Sequence, residues 1–110
     1  MDLSFASPKL QRELSSESSL KRAYGDRAKR LQLRLDLLKA ASCLGDVPQD
    51  PPPRRHVLTG DWDGHFAVDI TGNWRLVFRP NHSPVPRRPD GSVDLKLVTA
   101  ITIVAIVDYH

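Results

Sequence analysis

Residues 95–110, LKLVTAITIVAIVDYH, constrain the fold more than any other stretch of the chain. β-Branched residues dominate this stretch, and the segment 103–107 contains no polar side chain. Such a composition favours a strand, and an unbroken apolar run is typical of a strand that is covered on both faces. We therefore predict a central strand of a sheet. It leads directly into Asp108, Tyr109 and His110, and rigid mounting is what a reacting group requires.

Residues 1–45 are predicted to form the helical part of the chain. The segment DLSFAS alternates in polarity, as a short first strand or an extended lead-in would. Ser7 and Pro8 then mark a helix start, because serine can cap free amide groups and proline is tolerated in the first turn. Serines cluster at positions 15–19, so this helix is expected in two pieces, with Gly25 closing the second.

A further helix is predicted over RAKRLQLRLDLLKAASCL, with Asp26 as its cap and Gly45 at its end. A mostly apolar stripe at spacings of three and four residues runs along it, and such a stripe packs against a core. The stripe consists of Ala28, Leu31, Leu35, Leu38 and Ser42.

Arg27, Arg30 and Arg34 are neighbours on another face of the same helix, since residues three and four apart lie together. A row of arginines on a helix is either a solvated face or a stripe that contacts phosphates. Both interpretations fit the spacing.

The proline-rich segment DVPQDPPPRR marks the change from helix to strand, because proline fixes its own backbone and disfavours helix in the residue before it. Residues 54–110 are predicted to form the sheet part. RRHVLTG is a candidate strand, and the chain turns at residues 61–64. HFAVDI and NWRLVFRP alternate in polarity around a short turn, which predicts a hairpin.

The second hairpin strand has two distinct faces. Trp74, Leu76 and Phe78 share one face, and Arg75, Val77 and Arg79 share the other. An arginine beside a valine predicts that the second face is partly enclosed, as the floor of a cleft would be.

The expected architecture is α+β, with an N-terminal helical hairpin packed on a small, mostly antiparallel sheet. A chain of 110 residues is large enough for one domain with a single core, so we expect one domain over 1–110. Residues 80–96 are rich in proline and polar side chains, and they are expected to form a long hairpin loop or a mobile insertion.

Composition excludes several classes of protein. With 40% hydrophobic and 26% charged residues the chain has the composition of a soluble globular protein, and no apolar run approaches the roughly 20 residues that span a bilayer. The single cysteine, Cys43, permits no internal disulfide, which favours the cytoplasm. Cysteine and histidine show no metal-ligand spacing, so no metal or cofactor is expected. The net charge of +3 is a modest indication of a polyanionic partner.

Residues at the end of the last strand have the functional groups for phosphodiester chemistry. Asp108 and His110 are two residues apart on the predicted strand, and a neighbouring hairpin would bring Arg75 and Arg79 to them. In RNA cleavage one group takes the proton of the ribose 2′-hydroxyl, another protonates the leaving 5′-oxygen, and arginine stabilises charge on the phosphate. The same residues also fit a structural role, with Arg75 paired to Asp108 and an exposed histidine.

The segment GDWDGHFAVDITGNWRLVFR followed by IVDYH resembles the HigB (plasmid-maintenance killer) toxins of the RelE/ParE superfamily. The helix AKRLQLRLDLL fits the N-terminal helical hairpin of that family, so the likeness covers nearly the whole chain. GNWR with the following phenylalanine and the terminal DYH is specific in combination, whereas each piece alone is not.

The resemblance implies a compact α+β fold and a toxin of a type II toxin–antitoxin pair. In that family the toxin enters the ribosomal A site and cuts translated messenger RNA without a metal. Its partner is a helix-turn-helix antitoxin of the HigA kind, through which alone it reaches operator DNA. The resemblance therefore implies a cytoplasmic endoribonuclease that inhibits translation.

The resemblance also assigns roles to residues. The arginine of NWR is Arg75, a contact to the phosphate or the transition state. The terminal acid, tyrosine and histidine are Asp108, Tyr109 and His110, with proton transfer centred on Asp108 and His110 and their acid and base roles open. RNA contacts are expected from Arg55 and Arg79 and also, on their spacing along the helix rather than on the resemblance, from Arg27, Arg30 and Arg34.

Two departures from the family pattern bear on function. Thr59 stands where many relatives carry a lysine, so a cationic contact to the phosphate is missing unless Arg55, His56 or Arg79 supplies it. The loop over 80–96 is longer than the short hairpin of the family, and it would contact RNA, the antitoxin or neither. Two alternatives remain. One is a gyrase inhibitor as in the ParE branch, which does not need a terminal histidine, and the other is an antitoxin-binding co-repressor without strong catalysis.

Overall fold

The sheet is organised around β5 (Ala100–Asp108), the strand that the apolar run predicts. The computed structural model describes residues 1–108 of the chain. Strand β1 (Asp2–Phe5) is parallel to β5, and β4 (Trp74–Pro80) pairs antiparallel on its other side. Antiparallel strands β3 (Phe66–Asp69) and β2 (His56–Val57) complete the order β1-β5-β4-β3-β2 within the described residues. The predicted central strand, the hairpin and the mostly antiparallel sheet are confirmed.

The first helical segment is broken where the serine cluster predicts. Helix α1 (Pro8–Leu14) begins after Ser7, whose hydroxyl accepts a hydrogen bond from the backbone N–H of Leu10. Helix α2 (Glu17–Tyr24) begins after Ser16, which caps it in the same way. Each hydroxyl satisfies one of the amide groups that a helix start leaves without an intrahelical partner. The two-piece prediction is confirmed.

Helix α3 (Ala28–Ala40) begins differently from the sequence prediction. A single 3-10 turn, Gly25–Arg27, connects α2 to α3, and Asp26 lies inside that turn. No side chain caps α3 with a hydrogen bond. The prediction of Asp26 as the cap is therefore wrong, because the chain turns continuously from one helix into the next and leaves no extended cap residue.

Helix α3 also ends earlier than predicted. The backbone becomes extended at Ala41, and Gly45 lies in a separate 3-10 turn, Leu44–Asp46. Leu44 is fully buried, and its N–H donates to the carbonyl of Val98 at 2.9 Å. Docking of this turn on the sheet part requires the helix to stop before it.

The main core lies between the helices and one face of the sheet, called the helix face below. Leu31, Leu35 and Leu38 of α3 are at most 1% exposed, whereas Ser42 is exposed beyond the end of the helix. Both parts of the chain contribute to this core, which from the sheet includes Phe66, Val68, Leu76, Phe78, Ile101 and Ile103.

Strand β2 is shorter than the segment RRHVLTG predicts. Arg55 is buried beside it, with its N–H bonded to the carbonyl of Pro48 and its Nε donating to the carbonyl of Val47 at 2.9 Å. These bonds hold the chain to the proline-rich connector and draw it out of the sheet ladder.

The segment between β4 and β5 folds into a hairpin-like loop, the first of the two conformations expected for residues 80–96. Arg87 and Val93 form an antiparallel bridge, and the N–H of Arg88 donates to the carbonyl of Ser92 at 2.8 Å. Val93 and Leu95 pack against the main core. The loop is therefore anchored by both backbone bonds and apolar burial; we call it the β4–β5 hairpin loop.

We predict that Leu35→Ala lowers the free energy of unfolding by about 2–5 kcal/mol, because it leaves a cavity in the closed core. Leu33, on the same helix, is 53% exposed, whereas Leu35 is 1% exposed. Leu33→Ala is therefore the matched control, with an expected change within about 0.5 kcal/mol. Urea unfolding followed by circular dichroism measures both. Equal losses in the two variants would contradict the placement of α3.

Candidate functional site

The side of the sheet opposite the helices is called the open face here. The pairing places Ala67, Val77 and Ala105 side by side on it. With Leu58 as a further buried member and Trp62 and Val107 at its margin, they form a small apolar cluster, which among the described residues contains no α-helical side chain. Ala67 and Val77 are 0% exposed within this cluster, so only side chains away from its centre can meet another macromolecule on the open face.

A carboxylate with two guanidinium groups occupies one end of the open face. Asp69 lies directly opposite Arg75 in the β3–β4 pairing, and the Arg75 Nε contacts the Asp69 carboxylate at 2.9 Å. Arg54 binds both oxygens of the same carboxylate, at 2.7 and 3.1 Å. These hydrogen bonds raise the pKa of Arg54. One carboxylate therefore fixes the orientation of two cations, and the group keeps a net positive charge.

Arg54 has an unusual backbone conformation. Its φ of +46° lies in the left-handed region, and within the described residues it is the one non-glycine residue there. Such conformations cost of order 1–3 kcal/mol and persist where the surroundings impose them. Here the carbonyl of the preceding Pro53 accepts from the Asp69 N–H at 2.7 Å, so the connector is tied to β3 where Arg54 reaches Asp69.

Arg34 approaches the same residue from the helix face. It is 8% exposed, and its Nε donates to the backbone carbonyl of Asp69 at 2.6 Å. Burial lowers the pKa of Arg34, with Arg30 adding to that effect and Asp69 opposing it. The expectation of one common arginine face on α3 is wrong for this residue, because its side chain is committed to the sheet.

Arg27 and Arg30 differ from Arg34. The Arg27 guanidinium lies 3.9 Å from the centre of the Trp74 ring, a cation–π contact on the helix face. Its Nε is buried without a hydrogen-bond partner among the described residues. Arg30 is exposed. The three arginines therefore do not form a single solvated or phosphate-contacting row.

A bulge in the pairing of β4 with β5 decides which face the end of β5 presents. Val77 is opposite Ala105, but the next residue, Phe78, is opposite Ile103, so β5 has one extra residue there. An extra residue reverses the alternation of one strand relative to its neighbour. Without the bulge, the pairing of Phe78 with Ile103 would continue to place Ile106 opposite Arg75.

The expectation that Asp108 faces Arg75 is therefore wrong. Asp108 lies opposite Trp74, on the helix face, whereas Arg75 lies opposite Val107, on the open face. Alternation counted along each strand separately omits the bulge and gives the opposite result. Arg75 and Arg79 do share the open face, as predicted. Tyr109 and His110 lie outside the described residues, so their roles stay predictions.

His56 is a candidate that the sequence pattern did not single out. It lies opposite Ala67, on the open face, with its Nδ1 2.7 Å from the carbonyl of Arg54. Because a carbonyl only accepts, Nδ1 carries the proton, and Nε2 of the neutral ring is an acceptor. The sequence signal that could have found His56 is its position in the strand. It lies two residues before Leu58, and residues two apart in a strand share a face.

The other predicted RNA contacts, Arg55 and Arg79, form no salt bridge with Asp69 within the described residues. Arg79 is exposed and Arg55 is buried, and both line a cavity beside the β4–β5 hairpin loop. Burial lowers the pKa of Arg55. Thr59 is exposed and precedes the 3-10 turn Gly60–Trp62, which leads from β2 toward β3. About 13 Å of strand separates Arg75 from Arg79, and the Arg55 Nε is directed to the carbonyl of Val47.

The part of the chain that the structure describes shows neither a metal-binding cluster nor a membrane-spanning helix. It contains no group of three or more histidine, cysteine, aspartate or glutamate side chains arranged to hold a metal ion. None of its helices is long and apolar enough to cross a bilayer.

The fold is similar to those of several solved toxin structures. A YoeB/ParE toxin from Agrobacterium tumefaciens is 14% identical, with a TM-score of 0.58 and 100% of each chain covered. A histidine-to-glutamine mutant of YafQ from E. coli is 13% identical, with a TM-score of 0.58 and 97% of this chain and 91% of that chain covered. The YoeB–YefM complex from Staphylococcus aureus gives 14% identity, a TM-score of 0.56 and coverages of 100% and 97%.

No protein-family model and no curated protein matches the chain. At these identities the likeness to solved structures shows the fold. The α+β architecture expected from the sequence is therefore confirmed, and it is the architecture of the YoeB/ParE-like structures.

The β4–β5 register is testable by disulfide trapping in a Cys43→Ser background. We predict that Arg75→Cys with Val107→Cys forms a disulfide under mild oxidation, because directly opposite Cα atoms lie about 4.5–5.5 Å apart. Arg75→Cys with Ile106→Cys is the matched control, and it is expected to stay reduced because the two side chains point to opposite faces. Non-reducing mass spectrometry distinguishes them. Preferential bridging of the control pair would show that the bulge is absent.

Proposed function

We propose that the chain is the toxin of a type II toxin–antitoxin pair, a HigB-like, ribosome-dependent and metal-independent endoribonuclease that cuts translated messenger RNA. Two observations of different kinds support this proposal. The fold resembles structures whose names include YoeB/ParE toxin and YoeB–YefM complex. The sequence resembles the HigB pattern in GNWR and in the terminal DYH.

The observation that carries the proposal is the mounting of Arg75. This arginine of the NWR motif lies on the open face of β4, and Asp69 holds its Nε at 2.9 Å. Positioned guanidinium groups stabilise the charge that develops on a phosphate in the transition state, and a fixed orientation avoids reorganisation during the reaction. The net positive group of Arg54, Asp69 and Arg75 favours binding of a phosphodiester.

Two histidines are the candidates for proton transfer in this proposal. His56 lies on the open face with its Nε2 as the acceptor nitrogen. His110 is assigned by the family resemblance. Asp108 lies on the face of Trp74, so we assign it no direct contact with a phosphate bound at Arg75. The proposed reaction breaks the 5′-oxygen–phosphorus bond as the ribose 2′-oxygen attacks, with one histidine accepting a proton and the other donating one.

Thr59 stands where many relatives carry a lysine, but the open face still has other cations. Arg54 and Arg75 bind the Asp69 carboxylate, and Arg79 is exposed further along β4. In this proposal these arginines supply the charge that the lysine supplies in many relatives.

The proposed partners follow from the same resemblance. They are a helix-turn-helix antitoxin of the HigA kind, the ribosomal A site and its messenger RNA, in the cytoplasm. Operator DNA would be reached only through the antitoxin. The complex of YoeB with YefM supports an antitoxin as partner of this fold.

Inhibition of DNA gyrase is the second candidate function. One similar structure carries ParE in its name. The terminal DYH argues against this function, because the ParE branch does not require a terminal histidine.

We predict that induction of the chain in bacteria arrests growth and produces new 5′ ends in translated messages. Arg75→Ala is expected to lower cleavage about a hundredfold or more, since it removes transition-state stabilisation. His110→Ala is expected to lower it by a similar or larger factor, since it removes a proton-transfer group. Arg22→Ala, an exposed arginine of α2, is the matched control and should cleave as the parent chain does.

The same experiment decides between the candidates. Arrest with intact messages and broken or relaxed DNA would replace the nuclease by gyrase inhibition. A parent chain that causes no arrest but binds an antitoxin encoded beside it would support the co-repressor alternative. Cleavage that survives Arg75→Ala would remove the observation on which the proposal depends.

The role of Asp69 gives a separate prediction. Asp69→Asn keeps the shape of the side chain but removes its charge, so the Arg75 guanidinium loses its fixed orientation. Misplacement of a reacting contact costs up to about a hundredfold, and we expect a loss of about ten- to a hundredfold in cleavage by purified protein on translating ribosomes. Asp36→Asn, on the exposed side of α3, is the control. Unchanged cleavage by a folded Asp69→Asn variant would contradict the positioning role.

A further inference from the structure

A cavity of about 670 Å³ lies beside the Arg79 end of β4, and His56 of the candidate active site is also in its lining. One wall is the β4–β5 hairpin loop, which contributes Arg87 and Arg88, and the other is formed by the β2–β3 edge of the sheet. Arg79, at the end of β4, lies between the two walls. The cavity therefore exists because the loop folds back beside the sheet.

The cavity is rich in positive charge. Arg55, Arg79, Arg87 and Arg88 line it, and one carboxylate, Asp63, lines it with them. Within residues 1–108 both salt bridges involve Asp69, so none of these four arginines is ion-paired there. A concentration of guanidinium groups without paired carboxylates costs stability through repulsion unless an anion binds.

Asp90, in the turn of the β4–β5 hairpin loop, offsets only part of the positive charge of the cavity arginines. Asp90 lies near Arg88, but its carboxylate is bonded to the N–H and hydroxyl of Ser92 at 2.9 and 2.6 Å. These bonds are the main cause of its lowered pKa, and the charge of Arg88 is a smaller one. One carboxylate therefore lines the cavity with the four arginines, a second is held by Ser92 in the loop turn, and Arg87 and Arg88 are exposed to solvent.

One arginine of the cavity shares a strand face with the candidate active site. Arg75 and Arg79 are on the same face of β4, four residues apart, which corresponds to about 13 Å. Arg79 also lines the cavity, together with Arg87 and Arg88 of the loop. A small anion needs only one such site, whereas an extended polyanion can contact all of them.

The rest of the lining fits a nucleotide better than a bare phosphate. Val85, Val93 and Leu95 give the cavity apolar surface against which a ribose or base can pack. His82 is also in the lining, and its Nε2 accepts the N–H of Thr99 at 3.1 Å, which orients the ring. A groove that combines positive charge with ring surfaces for base stacking binds single-stranded nucleic acid without sequence preference, and the rings in this lining are His56, Phe66 and His82.

We propose that this cavity is a second RNA-binding subsite, which holds a single-stranded stretch of the RNA that is cut at Arg75. The proposal rests on the proposed endoribonuclease function and adds a place for the substrate beyond the cleaved bond. Arg87 and Arg88 contact phosphates, Arg79 links the two sites, and the apolar part of the lining receives a nucleoside. An acidic segment of a protein partner would match the arginines but would not require Arg79 to lie on the same strand face as Arg75.

The test uses the double variant Arg87→Gln/Arg88→Gln in the full chain. The probe is a fluorescein-labelled, single-stranded 2′-O-methyl oligonucleotide of about 12 nucleotides. It cannot be cleaved because its 2′-oxygens carry no proton. We expect binding, measured by fluorescence anisotropy, to weaken about tenfold or more. The slope of log K against log salt should fall by about 1.4, since each lost phosphate contact on a single strand contributes about 0.7.

Two further variants make the result specific. Arg12→Gln/Arg22→Gln removes the same charge from exposed positions on α1 and α2 and should leave both quantities near the parent values. The Arg87 side chain also donates to the carbonyl of Gly91 at 2.9 Å, so its loss can loosen the loop. Arg88→Gln alone leaves that bond, and it should lower the slope by about 0.7. Thermal unfolding verifies that each variant is folded.

The outcomes separate this inference from the proposed function. Equal binding by the two double variants, or no binding by the parent chain, overturns the subsite even if the parent chain cuts messenger RNA. Specific loss in Arg87→Gln/Arg88→Gln supports the subsite even if no message is cut. Unchanged oligonucleotide binding with weakened binding of an antitoxin encoded beside this chain would assign the cavity to a protein partner and overturn the proposal.

Discussion

One extra residue in β5 determines how the two faces of this sheet are used. Before the bulge, Ile101 and Ile103 point into the main core; after it, Ile106 does so, while Ala105 and Val107 turn to the open face. Both faces thereby bury apolar side chains along a single strand, and a slip by one residue would exchange them. The same residue separates Asp108 from Arg75. Packing of the strand therefore fixes which charged groups at its end can act together.

Asp69 fixes the orientation of the cations on the open face. The bulge, in comparison, decides which apolar residues lie on that face. The carboxylate of Asp69 binds Arg54 and Arg75, and its backbone carbonyl binds Arg34 of α3. These contacts connect the proline-rich connector, the hairpin and the longest helix at one residue. Charge-assisted hydrogen bonds of this kind are stronger and more directional than neutral ones. The candidate active site is consequently built on elements that the rest of the fold already holds in place.

Much of the fold follows from local patterns. The serine caps, the alternating hairpin and the β-branched central strand each have a short-range physical cause, and the structure reproduces them. The bulge has no such cause, because Ile, Val and Ala are acceptable on either face of β5. The burial of Arg34 was not predicted for a related reason. Its spacing on α3 is the same as that expected for exposed arginines. What decides these positions is pairing between residues far apart in the chain, which periodicity does not contain.

In the proposed function, the arginines of the sheet compensate for Thr59, which stands where many proteins with the HigB-like pattern carry a lysine. A lysine at that turn would be a single point charge on a flexible side chain. Here the cations are guanidinium groups on β4, on the connector and on the β4–β5 hairpin loop, and two of them are oriented by Asp69. Planar groups fixed in this way bind phosphate oxygens with two parallel hydrogen bonds, which a lysine cannot do. In the proposed function the β4–β5 hairpin loop and Thr59 belong together, because both move phosphate recognition from a single lysine to several arginines.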